Sequence, residues 1–283
     1  MQPFDIKTNN LHIHGLKVGS GTEIVIALHG WLDNCHSFLP MLNNSKPYQT
    51  WYCIDLVGHG LSSWRSDDAH YYFVDYINDL HEFITALNFK KIHLVGHSMG
   101  AMVAGLYASC FSERVKSVTF IEGIGCITTP SDEVCEQLKS AVLNRARLKN
   151  KKPRFYKSKQ QIYDARAQTT DLNSKQIALL MRRNIQELTE GFVLTTDPKL
   201  KNHSGFRFDE AQCIGAIKEL TAPCQLILGN EGYSFVKQNL EKYIIYYNDL
   251  KVINVSGGHH CHMQSSELCF KHIQDFMQQN GAC

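Results

Sequence analysis

The sequence lacks any large excess of charge of one sign. Its 29 lysines and arginines are balanced by 27 aspartates and glutamates, which leaves a formal net charge of +2. Domains that bind nucleic acids usually carry a strongly basic surface, and this composition does not provide one. We therefore expect no nucleic-acid partner.

The sequence also lacks a long uninterrupted apolar run. No run reaches the ~18 residues that a membrane-spanning helix requires, and the first ten residues, MQPFDIKTNN, do not have the pattern of a secretory signal. The ten cysteines are scattered, without a CxxC pair, and several of them stand in apolar stretches. These absences predict a cytoplasmic protein with reduced thiols and no membrane span.

Short apolar runs of the kind found in β-strands recur along the chain and alternate with helical patterns. The linker Gly19-Ser20-Gly21 joins the first two runs and favours a hairpin. The later runs are continuously apolar, as in parallel strands that are covered on both faces. This alternation predicts an α/β domain with a mainly parallel sheet. The runs cover residues 11–18, 23–30, 50–56, 91–97, 116–123, 224–230 and 250–257.

The alternation stops between residues 125 and 221, where the pattern is helical and more polar. Ser158 and Gln161 there have the spacing of a capping box. The basic run at 145–154 is interpreted as a solvated helix end and loop. We predict a core in two parts, residues 1–124 and 222–283, with residues 125–221 as a helical insertion packed over the sheet.

The stretch LVGHSMG at 94–100 places a serine between two glycines, directly after a predicted strand. In a strand-to-helix turn such a serine is exposed as a nucleophile, because the glycines let neighbouring segments approach closely. Free N–H groups at the start of the following helix stabilise negative charge. We therefore predict that Ser98 is a nucleophile and that the amide of Met99 is one oxyanion donor.

A serine nucleophile needs a second oxyanion donor, which in this type of turn comes from the loop after an early strand. The stretch ALHGW at 27–31 follows that description, so we assign the second donor to the backbone N–H of Trp31. His29 and Gly30 are interpreted as residues that shape the loop without taking part in chemistry.

The base that activates the serine should be a histidine on a late loop. VSGGHHCHM offers three histidines, and we favour His259 because a glycine pair after a strand sets a turn that exposes the next side chain. His260 and His262 are interpreted as packing or hydrogen-bonding residues. Because the three histidines lie too close together to share one helical face, no metal site is predicted.

Four stretches together resemble the α/β-hydrolase fold superfamily: ALHGW at 27–31, IDLVGHGLS at 54–62, LVGHSMG at 94–100 and GGHHCHM at 257–263. LHGWLDN, HYYFVDYI and FIEGIG resemble, more narrowly, its serine hydrolase-like branch. The resemblance implies an eight-stranded sheet with helices on both faces, a helical cap inserted after the sixth strand, and hydrolysis of an ester-like bond without a cofactor. It also implies that Asp55 shapes a turn and is not catalytic.

Two glutamates compete for the role of the acid that orients the histidine. Many relatives carry an aspartate shortly after the seventh strand, where this chain has Gly232, and Glu231 stands one residue early. Some haloalkane dehalogenases instead use a glutamate at the end of the sixth strand, and Glu122 takes that position. A carboxylate buried there needs a partner, which a histidine provides. We favour Glu122 and keep Glu231 as the alternative.

A serine at this turn implies an acyl-enzyme, whereas dehalogenases and epoxide hydrolases of this fold use an aspartate and form an alkyl-enzyme ester. We therefore expect a carboxylesterase-like serine hydrolase that acts on a small-molecule ester, thioester or lactone. Perhydrolysis or hydrolysis of a C–C bond by the same residues is one alternative. A ligand-binding protein without catalytic activity on the same fold is another.

Overall fold

The computed structural model describes residues 1–42, 47–149 and 154–280. Within them the chain forms ten strands and ten α-helices. The strands are β1 (Gln2–Lys7), β2 (His12–Gly19), β3 (Glu23–Leu28), β4 (Gln49–Ile54), β5 (Ile92–His97), β6 (Val115–Ile121), β7 (Ile185–Leu188), β8 (Gly191–Leu194), β9 (Cys224–Gly229) and β10 (Leu250–Val255). The helices are α1 (Leu39–Leu42), α2 (Asp75–Ala86), α3 (Met99–Cys110), α4 (Val134–Lys149), α5 (Lys159–Ala167), α6 (Ser174–Met181), α7 (Glu210–Lys218), α8 (Ser234–Tyr243), α9 (Cys261–Gln264) and α10 (Ser266–Asn280).

Eight of the strands form one sheet in the order β1-β2-β4-β3-β5-β6-β9-β10. Strand β2 runs antiparallel to both of its neighbours, and the remaining pairs are parallel. The predicted fold class, an eight-stranded and mostly parallel α/β-hydrolase sheet, is confirmed. Because β5, β6, β9 and β10 are parallel, their carboxyl ends meet at one edge of the sheet.

The central strands are buried on both faces, as their continuous apolar sequences predict. Side chains alternate between two cores along each strand. In β3, for example, Ile26 and Leu28 join a core with α2 and α3, whereas Val25 and Ala27 join one with α1 and α10. Burying each of the larger apolar side chains contributes roughly 1.5–3 kcal/mol, so both helical layers are held firmly to the sheet.

The predicted hairpin between the first two apolar runs is wrong. Strand β4 lies between β2 and β3, antiparallel to the first and parallel to the second. The partner of β2 on its other side is β1, a half-exposed strand with too few apolar residues to be recognised in the sequence. The linker Gly19-Ser20-Gly21 therefore turns the chain without pairing the strands that it joins.

The chain between β6 and β9 contains α4, α5, α6 and α7, as the helical pattern predicts, and also the antiparallel pair β7–β8. The Ser158 side chain accepts a hydrogen bond from the N–H of Gln161 and caps α5. Residues 150–153 of the basic run lie outside the described residues. The domain boundaries at residues 125 and 221 stay a prediction.

Among the residues that the structure describes, every helix is too short or too polar to cross a bilayer. The nine cysteines in those same residues form no disulfide bond.

Candidate active site

Ser98 lies in the turn that joins β5 to α3, with the strained backbone angles φ 52° and ψ −116°. A non-glycine residue in such a conformation costs roughly 1–3 kcal/mol, which the surrounding structure has to offset. The flanking glycines permit the turn: a Cβ on Gly96 would lie 2.3 Å from the Gly100 oxygen, and one on Gly100 would lie 2.1 Å from the Leu28 oxygen. Both glycines are therefore required by close backbone approach.

His259 lies in the connection between β10 and α9 and is largely buried. Its Nε2 is 2.9 Å from Ser98 Oγ, and its Nδ1 is 3.3 Å from Glu122 Oε2. Because an ionised carboxylate only accepts hydrogen bonds, the proton on the neutral ring belongs on Nδ1, and Nε2 is left to accept from the serine hydroxyl. This is the tautomer in which a histidine removes a proton from serine.

Glu122 follows the last residue of β6 and also has a positive φ, 49°. Its side chain is 1% exposed, and its second oxygen, Oε1, accepts the N–H of Gly229 at 2.7 Å. One carboxylate oxygen is thus fixed by the main chain while the other faces His259. The structure brings Ser98, His259 and Glu122 together in one chain of hydrogen bonds.

The turn after β9 leaves space for this carboxylate. A Cβ on Gly232 would lie 2.3 Å from both carboxylate oxygens of Glu122, so a side chain at this position would collide with it. Glu231 is exposed, and its N–H donates to the Gly257 oxygen at 2.9 Å. Among the described residues, the carboxylate that contacts His259 is that of Glu122.

The loop that carries Trp31 is shaped by His29, which is fully buried. The Nδ1–H of His29 donates to the Gly30 oxygen at 2.7 Å, and its Nε2 accepts the N–H of Leu56 at 2.9 Å. Burial lowers the pKa of His29 and keeps the ring neutral, as this pattern requires. Within the described residues, neither the N–H of Trp31 nor that of Met99 donates to a protein acceptor.

Tyr233 is a site residue that the sequence analysis missed. Its ring stacks on His259 with a centroid distance of 4.1 Å and an interplanar angle of 14°. The tyrosine is half exposed, so it shields one face of the His259 imidazole from solvent. A single aromatic residue in a turn carries no sequence signal for such a contact.

Asp55 directly follows β4 and is completely buried. One oxygen accepts the N–H of Cys35 at 2.9 Å, and the other accepts the N–H of Leu61 at 2.9 Å and Nε of Arg183 at 2.7 Å. These contacts organise a turn and tie the insertion to the core, and none of them involves Ser98 or His259.

Three more histidines surround His259. His97 Nε2 donates to the main-chain oxygen of His259 at 2.9 Å. His262 is fully buried and packs against Phe38 and His97, and burial lowers its pKa to about 3. His262 is therefore a neutral packing residue.

His260 lies between two carboxylates, Asp33 of the core and Asp171 of the insertion. Its Nε2 is 3.4 Å from Asp33 Oδ2, and its Nδ1 contacts Asp171 Oδ1. Burial by itself would lower the pKa of His260, but the hydrogen bonds to Asp171 and Asp33 outweigh it and raise the pKa to about 9. His260 is therefore a cation at neutral pH, and the pKa of each carboxyl lies well below its usual range.

In the part of the chain that the structure describes, Asp33, His97 and His260 form the one group of potential metal ligands, with ligand atoms within 4.8 Å of one another. The Asp33 carboxylate already accepts from Arg166 at 2.6 Å and faces the protonated His260. These two cations balance the negative charges of Asp33 and Asp171, so we assign no metal to the group.

A serine, a histidine and a glutamate at the carboxyl edge of a mostly parallel sheet are the arrangement of an α/β hydrolase. The sequence model of the family described as alpha/beta hydrolase fold matches residues 23–176. The chain belongs to this family.

The relatives place the chain in the serine hydrolase-like branch, as its sequence motifs predict. A serine hydrolase-like protein of Danio rerio is 28% identical over 90% of this chain and 81% of the relative. One of Dictyostelium discoideum is 29% identical over 96% of this chain and 84% of the relative.

Solved structures share the fold over almost the whole chain. A hypothetical protein of Pseudomonas aeruginosa PAO1 is 25% identical, with a TM-score of 0.88 over 96% of this chain and 97% of that one. The thioesterase domain from the curacin biosynthetic pathway is 20% identical, with a TM-score of 0.83 over 97% of this chain and 99% of that domain.

Proposed function

We propose that this protein is a carboxylesterase-like serine hydrolase that cleaves a small carboxylic ester, thioester or lactone through an acyl-enzyme on Ser98. The observation that carries the proposal is the distance of 2.9 Å between His259 Nε2 and Ser98 Oγ, with Glu122 on the opposite nitrogen of the ring. Nucleophile, base and orienting acid are thus within hydrogen-bonding reach of one another.

In the first half of the reaction, His259 Nε2 takes the proton from Ser98 as Oγ attacks the carbonyl carbon of the substrate. The N–H groups of Trp31 and Met99 stabilise the oxyanion of the tetrahedral intermediate. The bond to the leaving group then breaks, and the proton on His259 passes to the leaving alcohol or thiol. Glu122 orients the ring and stabilises its positive charge without taking the proton.

In the second half, His259 takes a proton from water, whose oxygen attacks the acyl carbon. When this intermediate collapses, the bond to Ser98 Oγ breaks and the serine recovers its proton from His259. The products are a carboxylic acid and the free enzyme, so the cycle needs no cofactor or metal.

The insertion at residues 125–221 acts as a cap over the substrate in this proposal. Two contacts beside the oxyanion loop support that role: Trp31 Nε1 donates to the Leu200 oxygen at 3.2 Å, and Arg166 donates to Asp33 at 2.6 Å. The cap therefore touches the loop on which the Trp31 amide is presented.

A fluorophosphonate tests the proposal, because it reacts only with an activated serine held beside an oxyanion site. Intact mass should show one adduct on the wild-type protein and none on Ser98→Ala. A panel of esters, thioesters and lactones of increasing acyl length would then define the substrate class, with peracid formation and C–C cleavage assayed alongside. A folded wild-type protein that forms no adduct, yet binds a ligand that it does not hydrolyse, would contradict the proposal.

A further inference from the structure

We propose that Asp171 of the insertion is a positioning residue for the general base, because it holds the peptide group that follows His259. The inference rests on the proposed function and adds to it a catalytic requirement for a residue outside the core. It is carried by the contacts around a single peptide bond, which links His259 to His260.

Both polar groups of this peptide bond are held. Its C=O accepts from His97 Nε2 at 2.9 Å, and its N–H donates to Asp171 Oδ2 at 3.0 Å. His97 directly precedes the nucleophile, Ser98, on the core, whereas Asp171 belongs to the insertion. Because the two bonds fix the plane of the peptide group, they also fix the direction in which the His259 side chain leaves the main chain.

The loop before His259 is built around the same carboxylate. A Cβ on Gly258 would lie 2.3 Å from Asp171 Oδ2, so the second glycine of the pair makes room for it. Gln264 bridges the two segments: its Nε2 donates to the Asp171 main-chain oxygen at 2.9 Å, and its Oε1 accepts the Gly258 N–H at 2.7 Å. Asp171 thus contacts the loop on both sides of His259.

The charges around this loop are balanced across the boundary between insertion and core. His260 faces the carboxylates of Asp33 and Asp171. Arg166 also pairs with Asp33. The rings of His97, His259 and His262 are further neighbours of His260. Asp33 also lies in the oxyanion loop, where its N–H donates to the Gly30 oxygen at 3.1 Å. The network therefore joins the base loop and the oxyanion loop through the insertion.

The ion pairs around His260 depend on pH, because they require the protonated form of this histidine. Its pKa is raised from 6.5 to about 9, so the stabilisation that it provides is complete below about pH 6.5 and is lost as the pH rises through about 9. Neutral His260 keeps one N–H and can donate to only one of the two carboxylates, so its ion pair with Asp171 is lost, and we expect the acylation rate of Ser98 to fall along an alkaline limb near that pH.

Asp171→Asn tests the inference. The amide has the size of the carboxylate but no charge, so the ion pair with His260 is lost. We expect the rate constant for labelling of Ser98 by a fluorophosphonate, and kcat for an ester, to fall about 10- to 100-fold, the scale of a misplacement near 1 Å, with KM little changed. The alkaline limb should move to lower pH, because Asp171 is one of the two carboxylates that raise the pKa of His260.

Tyr71→Phe is the matched control. It removes a different bond between core and insertion, from Tyr71 Oη to Asp197 at 2.7 Å, and touches neither Gly258 nor His260. This variant should label at the wild-type rate with an unmoved alkaline limb. Equal slowing of the two variants would show that any loosening of the insertion suffices, and would overturn the role assigned to Asp171.

A wild-type labelling rate in folded Asp171→Asn would also overturn the inference. If this variant melts below the assay temperature, Asp171→Glu keeps the charge but displaces the carboxylate by one methylene, and should fold yet label slowly. Failure of the wild-type protein to label would instead contradict the proposed function itself. The two failures are therefore distinguishable in the same experiment.

Discussion

The turns after β6 and after β9 lie side by side at the carboxyl edge of the sheet and make different contributions to the site. The first places Glu122 against His259 Nδ1. The second provides Gly232, which leaves room for that carboxylate, and Tyr233, which stacks on one face of the His259 ring. In this chain, the position of the carboxylate beside His259 depends on two neighbouring turns together: one supplies Glu122, and the other has a glycine, Gly232, that leaves room for it.

The largest expected effect separates the two glutamates of these turns. Glu122→Gln should lower kcat by about 10³-fold or more, since an amide cannot stabilise the imidazolium and can favour the wrong tautomer of His259. Glu231→Gln should change kcat less than about twofold, because surface substitutions have small effects. Steady-state kinetics on one ester would compare the two variants. A larger loss of kcat in Glu231→Gln would assign the acid to the turn after β9 instead.

A second experiment moves the acid from one turn to the other. Gly232→Asp in the wild-type background should destabilise the protein, because its Cβ would lie 2.3 Å from the Glu122 oxygens. In a Glu122→Ala background that space is free, and the new carboxylate should recover about tenfold of the lost kcat. An effect of Gly232→Asp that is harmful in the wild type and helpful in Glu122→Ala indicates that the two residues are in contact. Thermal melting and kcat of the two single variants and the double variant complete the cycle, and strictly additive effects would argue against shared space.

The smallest expected effect concerns the aromatic part of the turn after β9. Tyr233→Leu removes the stack on His259, which is worth about 0.5–1.5 kcal/mol and corresponds to a two- to twelvefold loss of kcat/KM. Tyr233→Phe keeps the ring and should retain nearly full activity. A loss of the same size in both variants would show that the hydroxyl matters and the stacking does not.

Local patterns were enough to predict much of the sheet and the positions of two site residues. Parallel strands buried on both faces have continuous apolar sequences, so β3, β4, β5, β6 and β9 could be recognised. The turn at Ser98 depends on its own glycines, and the glycine pair before His259 is equally local. The strand β1 and the pair β7–β8 were not predicted, because β1 and β7 are mostly exposed and contain few apolar residues, and β8 has an apolar run of only three residues.

Strand pairing shows the limit of local patterns most clearly. Gly19-Ser20-Gly21 is a reasonable hairpin linker, but the choice of partner for β2 was decided by β4, which lies about thirty positions further along the chain. Strand β4 is buried along its whole length, and this burial requires a neighbour on each side. The gain from burying that strand exceeds what a short local turn can contribute.

By itself, then, the sequence determined the fold class and the two turns in which Ser98 and His259 lie, because each turn depends on glycines next to these residues in the chain. The tertiary structure places the Glu122 carboxylate within reach of His259, although β9 lies between β6, which precedes Glu122, and β10, which precedes His259. It also brought together Asp171 and His260, which are 89 positions apart. Short-range geometry is encoded in a motif, whereas the contacts that orient His259 form only once the sheet and the insertion have packed together.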